Sequence, residues 1–244
     1  MTYVKRDYRA VIAPAGLTCY EITLGESDLY ICTDGNHAPF ANESLARHRG
    51  EIEVYIERHP TFQTSFRPVP AATGAPEIVR AMSETAEMCD VGPMASVAGA
   101  IAQFVGTDLL SLSRKVIVEN GGDVFLSGSG MRKVRVFAGT GSSPVDILVE
   151  DSEEGVGVCT SSATVGPSIS LGKADAVTVL ARTATLADAA ATMIGNTVLC
   201  PADIRGGLDA GREQDGVLGV MIMAQGSMGV WGAIEINRLG RIDP

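Results

Sequence analysis

Apolar residues along this chain come in short runs, and most of those runs carry the β-branched and aromatic residues that suit a pleated strand. "CYEITL" (19–24) and "DLYICT" (28–33) are separated by Gly-Glu-Ser, a turn composition. An earlier run, "YRAVI", lies at 8–12, and others fall at 116–119, 124–126, 134–138, 147–149, 156–159 and 175–181. "VLGVMIMA" and "VWGAIEI" close the chain as two last strands. Between them the helical pattern is sparser. The segment 42–60, with Asn42 as its cap and Pro60 beyond its end, reads as a helix. So do 76–90 opening on Pro76, 91–106 with Pro93 at a first helical position, and 185–196. The stretch 60–76 reads as a Pro-punctuated connector, 160–174 as a polar flexible loop and 201–216 as a Gly- and Asp-rich loop. Strands outnumber helices and the two do not alternate strictly. The expected class is therefore α+β, with mixed, largely antiparallel sheets flanked by helices, and not a doubly wound parallel sheet.

At 244 residues and 45% hydrophobic content, the chain can bury a full core as one large domain or two closely packed ones. No apolar run reaches the roughly 20 residues that cross a bilayer. Charges stand in "MTYVKRDYRAV" where a signal peptide has its apolar stretch, so the expected location is the cytoplasm. A formal charge of −10 leaves no basic footprint for nucleic acid. It does not exclude an anionic small molecule, which backbone amides or a bound cation can hold. The five cysteines, Cys19, Cys32, Cys89, Cys159 and Cys200, show no C-x-x-C pair and read as reduced, mostly buried thiols.

Two familiar signatures fail on spacing. In "GPSISLGKA" five residues separate Gly166 from Gly172, and Ala174 stands where a P-loop has its Ser or Thr. "QGSMG" has Gln225 in place of the first glycine of a nucleophile elbow. Three stretches remain. In "ENGGDV" an otherwise good strand is interrupted by Asn120, Gly121, Gly122 and Asp123. The glycines there allow φ > 0 and let a ligand approach backbone, and Asp123 can accept from a ligand hydroxyl or ring N–H. A hairpin turn with a capping Asp explains the same residues. In "TSSATVG" the hydroxyls of Thr160, Ser161 and Ser162 can converge on an anion, unless this is a solvated loop. In "LADAAATMIGN" Asp188 and Thr192 are four apart, on one helix face, and offer hard oxygen ligands to Mg2+. An Ala-rich helix with incidental polar residues is the plainer alternative. Between Val136 and Cys200 the basic residues are Lys173 and Arg182, so a pyrophosphate held here would rely on amides and a metal.

The order "VGPMASVAGAIAQF", "VENGGDVFL", "CTSSATVG", "VTVLARTATLADAAAT" resembles the ApbE-type FAD:protein FMN transferases, and more closely a smaller ApbE-like family. The resemblance covers residues 85 to 236 well and the N-terminal part loosely. It implies a single ApbE-like domain over 1–244, with 76–244 carrying the motifs and 1–75 the N-terminal strands, helix and connector. It implies FAD as substrate or ligand, at Gly121, Gly122 and Asp123, with Met94, Asn120, Thr160, Ser161 and Ser162 also around the cofactor. It places Mg2+ at Asp188 and Thr192. The activity implied is FMN transfer to a hydroxyl of an acceptor protein, or cleavage of the FAD pyrophosphate. Two departures bear on this. Met94 stands where the transferases carry the lysine of a Gly-Lys-Gly, and their histidine-containing stretch after the hydroxyl loop is compressed here to "PSISLGKAD". These favour a non-catalytic protein that binds or delivers a flavin or nucleotide, and no catalytic residue is assigned.

Overall fold

The described residues of the structure, a computed structural model, are 16–137, 144–162 and 172–237. The expected strand at 8–12 and most of the hydroxyl loop, 163–171, lie outside them. Among the described residues eleven strands form two sheets. β1 (Thr18–Leu24), β2 (Ser27–Thr33), β3 (Val116–Asn120), β4 (Asp123–Ser127), β7 (Val156–Ser161), β8 (Ala176–Ala181), β9 (Val217–Ala224) and β10 (Ser227–Gly232) form an eight-stranded sheet in that order. β5 (Gly130–Val136), β6 (Val145–Asp151) and β11 (Glu235–Asn237) form a three-stranded sheet, in the order β11-β6-β5. Every strand pairing in both sheets is antiparallel. The α+β expectation holds.

The large sheet is covered on both faces, and strand periodicity shows how. Val116, Val118, Phe125, Cys159, Val177, Val179, Val220 and Ile222 pack into one core with the helices. Their neighbours Val124, Leu126, Val156, Val158, Ala176, Leu180 and Met221 pack into a second core with Ile147 and Val149 of the small sheet. β8 is buried at all six positions because it has a layer on each side. Such a strand reads as a continuous apolar run and not as an alternation.

The helices are α1 (Ala38–Arg58), α2 (Thr61–Thr64), α3 (Glu77–Cys89), α4 (Val97–Leu109), α5 (Ala184–Thr197) and α6 (Ile204–Glu213). α1 starts four residues before the expected cap. Pro39 enters its first turn, Asn36 Oδ1 accepts from Ala38 N at 3.0 Å, and Asn42 is an interior residue donating to Ala38 O. Pro93 opens a short 3-10 turn, Pro93–Ser96, that leads into α4. The expected loop 201–216 is largely helical. Its glycines argue against a helix by propensity, but Gly207 and Gly211 sit where the side chains of Ile222 and Val220 crowd in, within 2.7 and 2.5 Å of a would-be Cβ. The last expected strand, 230–236, divides. Its first part stays in β10 and its second becomes β11, in the small sheet.

One expectation about cysteine fails here. Cys19 and Cys32 stand directly opposite one another on β1 and β2 and form a disulfide, with 4.1 Å between their Cα atoms. Thirteen residues of separation carry no motif, and only the strand register brings the sulfurs together. Cys89, Cys159 and Cys200 are free thiols, the first two buried.

Candidate functional site

Where the sequence interrupts its strand, the chain turns. Asn120 pairs with Asp123 across a two-residue hairpin whose central residues, Gly121 and Gly122, have φ of 70° and 112°. Tight hairpins need positive φ there, which explains the glycines without any ligand. Glu119 Oε1 accepts from Gly122 N at 2.9 Å and steadies the turn. A Cβ on Gly122 would meet nothing within 4 Å, so the space beside the turn is open.

Side-chain alternation then sorts the expected site residues by face. Val118 packs on the helices, so Asn120, two residues on, faces them too and donates from Nδ2 to Ala98 O at 3.1 Å. Asp123 shares a face with Phe125, and Cys159 lies on the same side of β7. Thr160 therefore points the other way. Its Oγ1 is 2.9 Å from Thr178 Oγ1, while its backbone N donates to Asp123 Oδ1 at 3.3 Å. Ser162 Oγ donates to Asp175 O at 2.7 Å. The three expected hydroxyls thus do not converge on one point. Thr160 meets Asp123 through its amide, and only Ser161 keeps its side chain on the helix face of the sheet, opposite Val177.

On the helix side, α5 carries Asp188 onto the amino end of α4. Asp188 Oδ2 accepts from Gly99 N at 2.8 Å, and Ala98 N also bonds to the carboxylate. This approach is possible because Gly99 has no side chain. A Cβ there would stand 2.3 Å from Ala184 O. Gly157 opens the same helix to β7, since its Cβ would stand 2.2 Å from Ala184 Cα. Thr192 lies one turn beyond Asp188 and is half-buried. Met94, in the 3-10 turn, is half-buried against the helical core.

The resulting centre is acidic and poorly solvated. Burial pushes the Asp123 carboxyl up to about 7, with the charge of Glu119 adding to the shift and the bonds from Cys159 and Thr160 opposing it. Burial also holds Asp188 well above the usual carboxylate range, and the charge of Asp123 raises it further, against the pull of the Gly99 and Ala98 amides. The Cys159 thiol, buried between them and donating to Ala184 O at 3.3 Å, is pushed up in the same way.

No group of three His, Cys, Asp or Glu that could hold a metal occurs among the described residues. The side-chain donors expected for a cation, the Asp188 carboxylate and the Thr192 hydroxyl, are hard oxygens, which suit a cation that keeps waters and shares its shell with phosphate. Histidine is absent from this centre. His37 precedes α1, His48 lies between Glu51 and Asp108, and His59 stacks on Tyr55. The small residues Ala95, Ser96, Ala98, Gly99, Ala100 and Ala102 lead one to expect close approach of another backbone, and Gly99 makes that approach and adds an amide. Sequence reasoning missed Gln103, which accepts from both the N and Oγ1 of Thr185 on α5 and which no local signal marks.

Among solved structures, the fold resembles the flavin transferase ApbE from Vibrio cholerae, with a TM-score of 0.62 over 90% of this chain and 98% of that one, at 12% identity. It resembles equally the ApbE protein of Thermotoga maritima, with a TM-score of 0.62 over 90% and 97%, at 15% identity. At such identities the likeness is one of fold. Among sequences, a UPF0280 protein of Methanocaldococcus jannaschii is 40% identical over 201 residues, 80% of this chain and 82% of the relative. A UPF0280 protein of Methanocella arvoryzae is 35% identical over 213 residues, 86% of each chain. The model of the family described as "AbpE bacteria" matches residues 10–227, nearly the whole length, and the chain belongs to that family.

Proposed function

We propose that this protein binds a flavin nucleotide, FAD, in the space between the Gly121–Gly122 hairpin and the amino end of α4, with Mg2+ held by Asp188 and Thr192. One observation carries the reading. Asp123, buried, and Asp188, half-buried, come from a hairpin and a helix far apart in sequence, accept from the Thr160 and Gly99 amides, and lie close enough for the charge of Asp123 to raise Asp188, next to a glycine turn with open space beside it. Two carboxyls drawn together out of water with no cation between them cost free energy. A cation shared with an anionic ligand offsets that cost. The ligand class comes from the fold, which the chain shares with flavin transferases.

In this reading the hairpin backbone lies against the nucleotide, Asn120 and Ser161 face it, and the Thr160 amide holds Asp123 in place. Asp188 and Thr192 would hold Mg2+, which would supply neutralisation of diphosphate charge if FMN is passed to the hydroxyl of an acceptor protein and AMP departs. A second reading, flavin binding or delivery without transfer, is favoured by a specific observation. Among the described residues no histidine stands at the site, since the three histidines lie at and around α1, and Met94 holds the position where the resembled transferases carry a lysine.

Titration of flavin-free protein with FAD, with and without Mg2+, followed by chromatography for FMN and AMP, tests both. Mg2+-assisted binding with AMP released supports transfer or pyrophosphate cleavage, and binding of intact FAD supports the carrier. No binding overturns the assignment. Asp188→Asn keeps a carbonyl oxygen for the Gly99 amide, so it is expected to fold and melt as the wild type does. It should lose about tenfold or more in Mg2+-dependent FAD affinity. Unchanged Mg2+ dependence removes Asp188 from the site.

A further inference from the structure

The two helices at the site cap each other. A helix leaves its first amides without partners, and here each helix supplies the other's acceptor. Ala98 and Gly99, the second and third residues of α4, donate to Asp188 of α5. In return Gln103, one turn further along α4, accepts from the second residue of α5. Its Oε1 takes Thr185 N at 3.1 Å and Thr185 Oγ1 at 3.0 Å. The cap of α5 itself, Thr183, serves a different amide, Leu186 N at 3.2 Å. Between these two polar contacts the helices touch backbone to backbone, Gly99 against Ala184.

This arrangement leaves little freedom. Thr185 is 1% exposed and three residues before Asp188, so the two share a face of α5. The Gln103 carbonyl, engaged by two donors, fixes where that face sits along α4. Apolar contact between small residues does not set such a register alone, because Ala and Gly surfaces slide over one another with little change in packing. A double acceptor does set it, since sliding by one residue would leave buried donors unpaired.

We infer that Gln103 is a positioning residue that holds α5 in register on α4, so that the Asp188 carboxylate is oriented by the Ala98 and Gly99 amides toward the cation. The inference rests on the reading of Asp188 as a Mg2+ ligand in a flavin-nucleotide site. Gln103 touches neither cation nor nucleotide; it acts through Thr185 and the backbone of α5.

The test compares Gln103→Met, which keeps the volume and removes the acceptor, with Gln103→Glu, which keeps the acceptor. For each, FAD binding is followed by flavin fluorescence as Mg2+ is varied and also in its absence, beside a thermal melt. Gln103→Met is expected to need about tenfold more Mg2+ for half-maximal binding, the size typical of losing a partner behind a metal ligand. Its Mg2+-free binding should stay within about twofold, and Gln103→Glu should recover most of the loss. Thr185→Val, which removes one of the two donors, should shift the Mg2+ requirement in the same direction by less, and replaces Gln103→Met if that variant does not fold. Wild-type Mg2+ dependence in Gln103→Met, or in Thr185→Val where it stands in, overturns the inference. So does an equal loss of Mg2+-free binding, which would mark a merely structural role. A wild-type protein that binds FAD without regard to Mg2+, or not at all, overturns the underlying site assignment, and is seen in the wild-type curve before any variant is made.

Discussion

Asp123 shows how much of this site is set by surroundings. Its sequence context, after two glycines in a strand-like run, fits a turn cap as well as a ligand contact, and the structure makes it a buried tie between β4 and β7. Its carboxyl is raised from 3.8 to about 7, mainly by burial. Between those values the unfolded chain is ionised at this residue while the folded protein keeps the proton. Stability from this group is full below about pH 4 and is lost as pH rises to about 7. Ligand-free wild type is therefore expected to lose melting temperature across that window, and Asp123→Asn to lose less. Parallel profiles would show that Asp123 is ionised throughout. Asp188 was legible because Asp is a poor helix-interior residue and demands a reason. Gln103 was not, because Gln is at home on any helix and its role depends on a neighbour 82 residues away.

At the level of elements, the contact between α4 and α5 decides whether a site exists. The small residues of "ASVAGAIA" allow close approach, but only the structure identifies Gly99 as the point of contact and Ala184 as the partner. Gly99→Ala would place a methyl against a backbone oxygen that cannot move aside. A loss of about 1–3 kcal/mol is expected in denaturant unfolding, together with a raised Mg2+ requirement for FAD binding. A variant as stable as wild type would show that the helices part easily. α6 makes the opposite point. Its glycines, which argue for a loop when read locally, are what let it lie down on β9. Tertiary packing overrode propensity there.

For the whole molecule, the eight-stranded sheet with a layer on each face explains the apolar character of the central strands, and the candidate site lies on its helical face, where the β3–β4 hairpin meets α4 and α5. The disulfide is a property of this scale, since it joins the two outermost strands at one end of the sheet. Alkylation of unfolded, unreduced protein should modify three cysteines, Cys89, Cys159 and Cys200. Cys19→Ser should cost about 3 kcal/mol of stability, from the loop of roughly 14 residues that it opens. Five alkylated cysteines would show that the pair does not form.

By itself the sequence determined the class of most elements, the glycine break at residues 120–123, the acidic residues of the candidate site and the family resemblance. These follow from periodicity, turn chemistry and motif order, which are written between near neighbours in the chain. Tertiary structure alone decided that Cys19 meets Cys32, that Thr160 and Ser162 turn their hydroxyls away from Asp123, that 204–213 is a helix, and that α4 and α5 cap one another. Each of these depends on strand register or helix crossing, where one residue of slip reverses a face or parts a donor from its acceptor. Such choices are made by contacts between segments distant in the chain, and no local pattern records them.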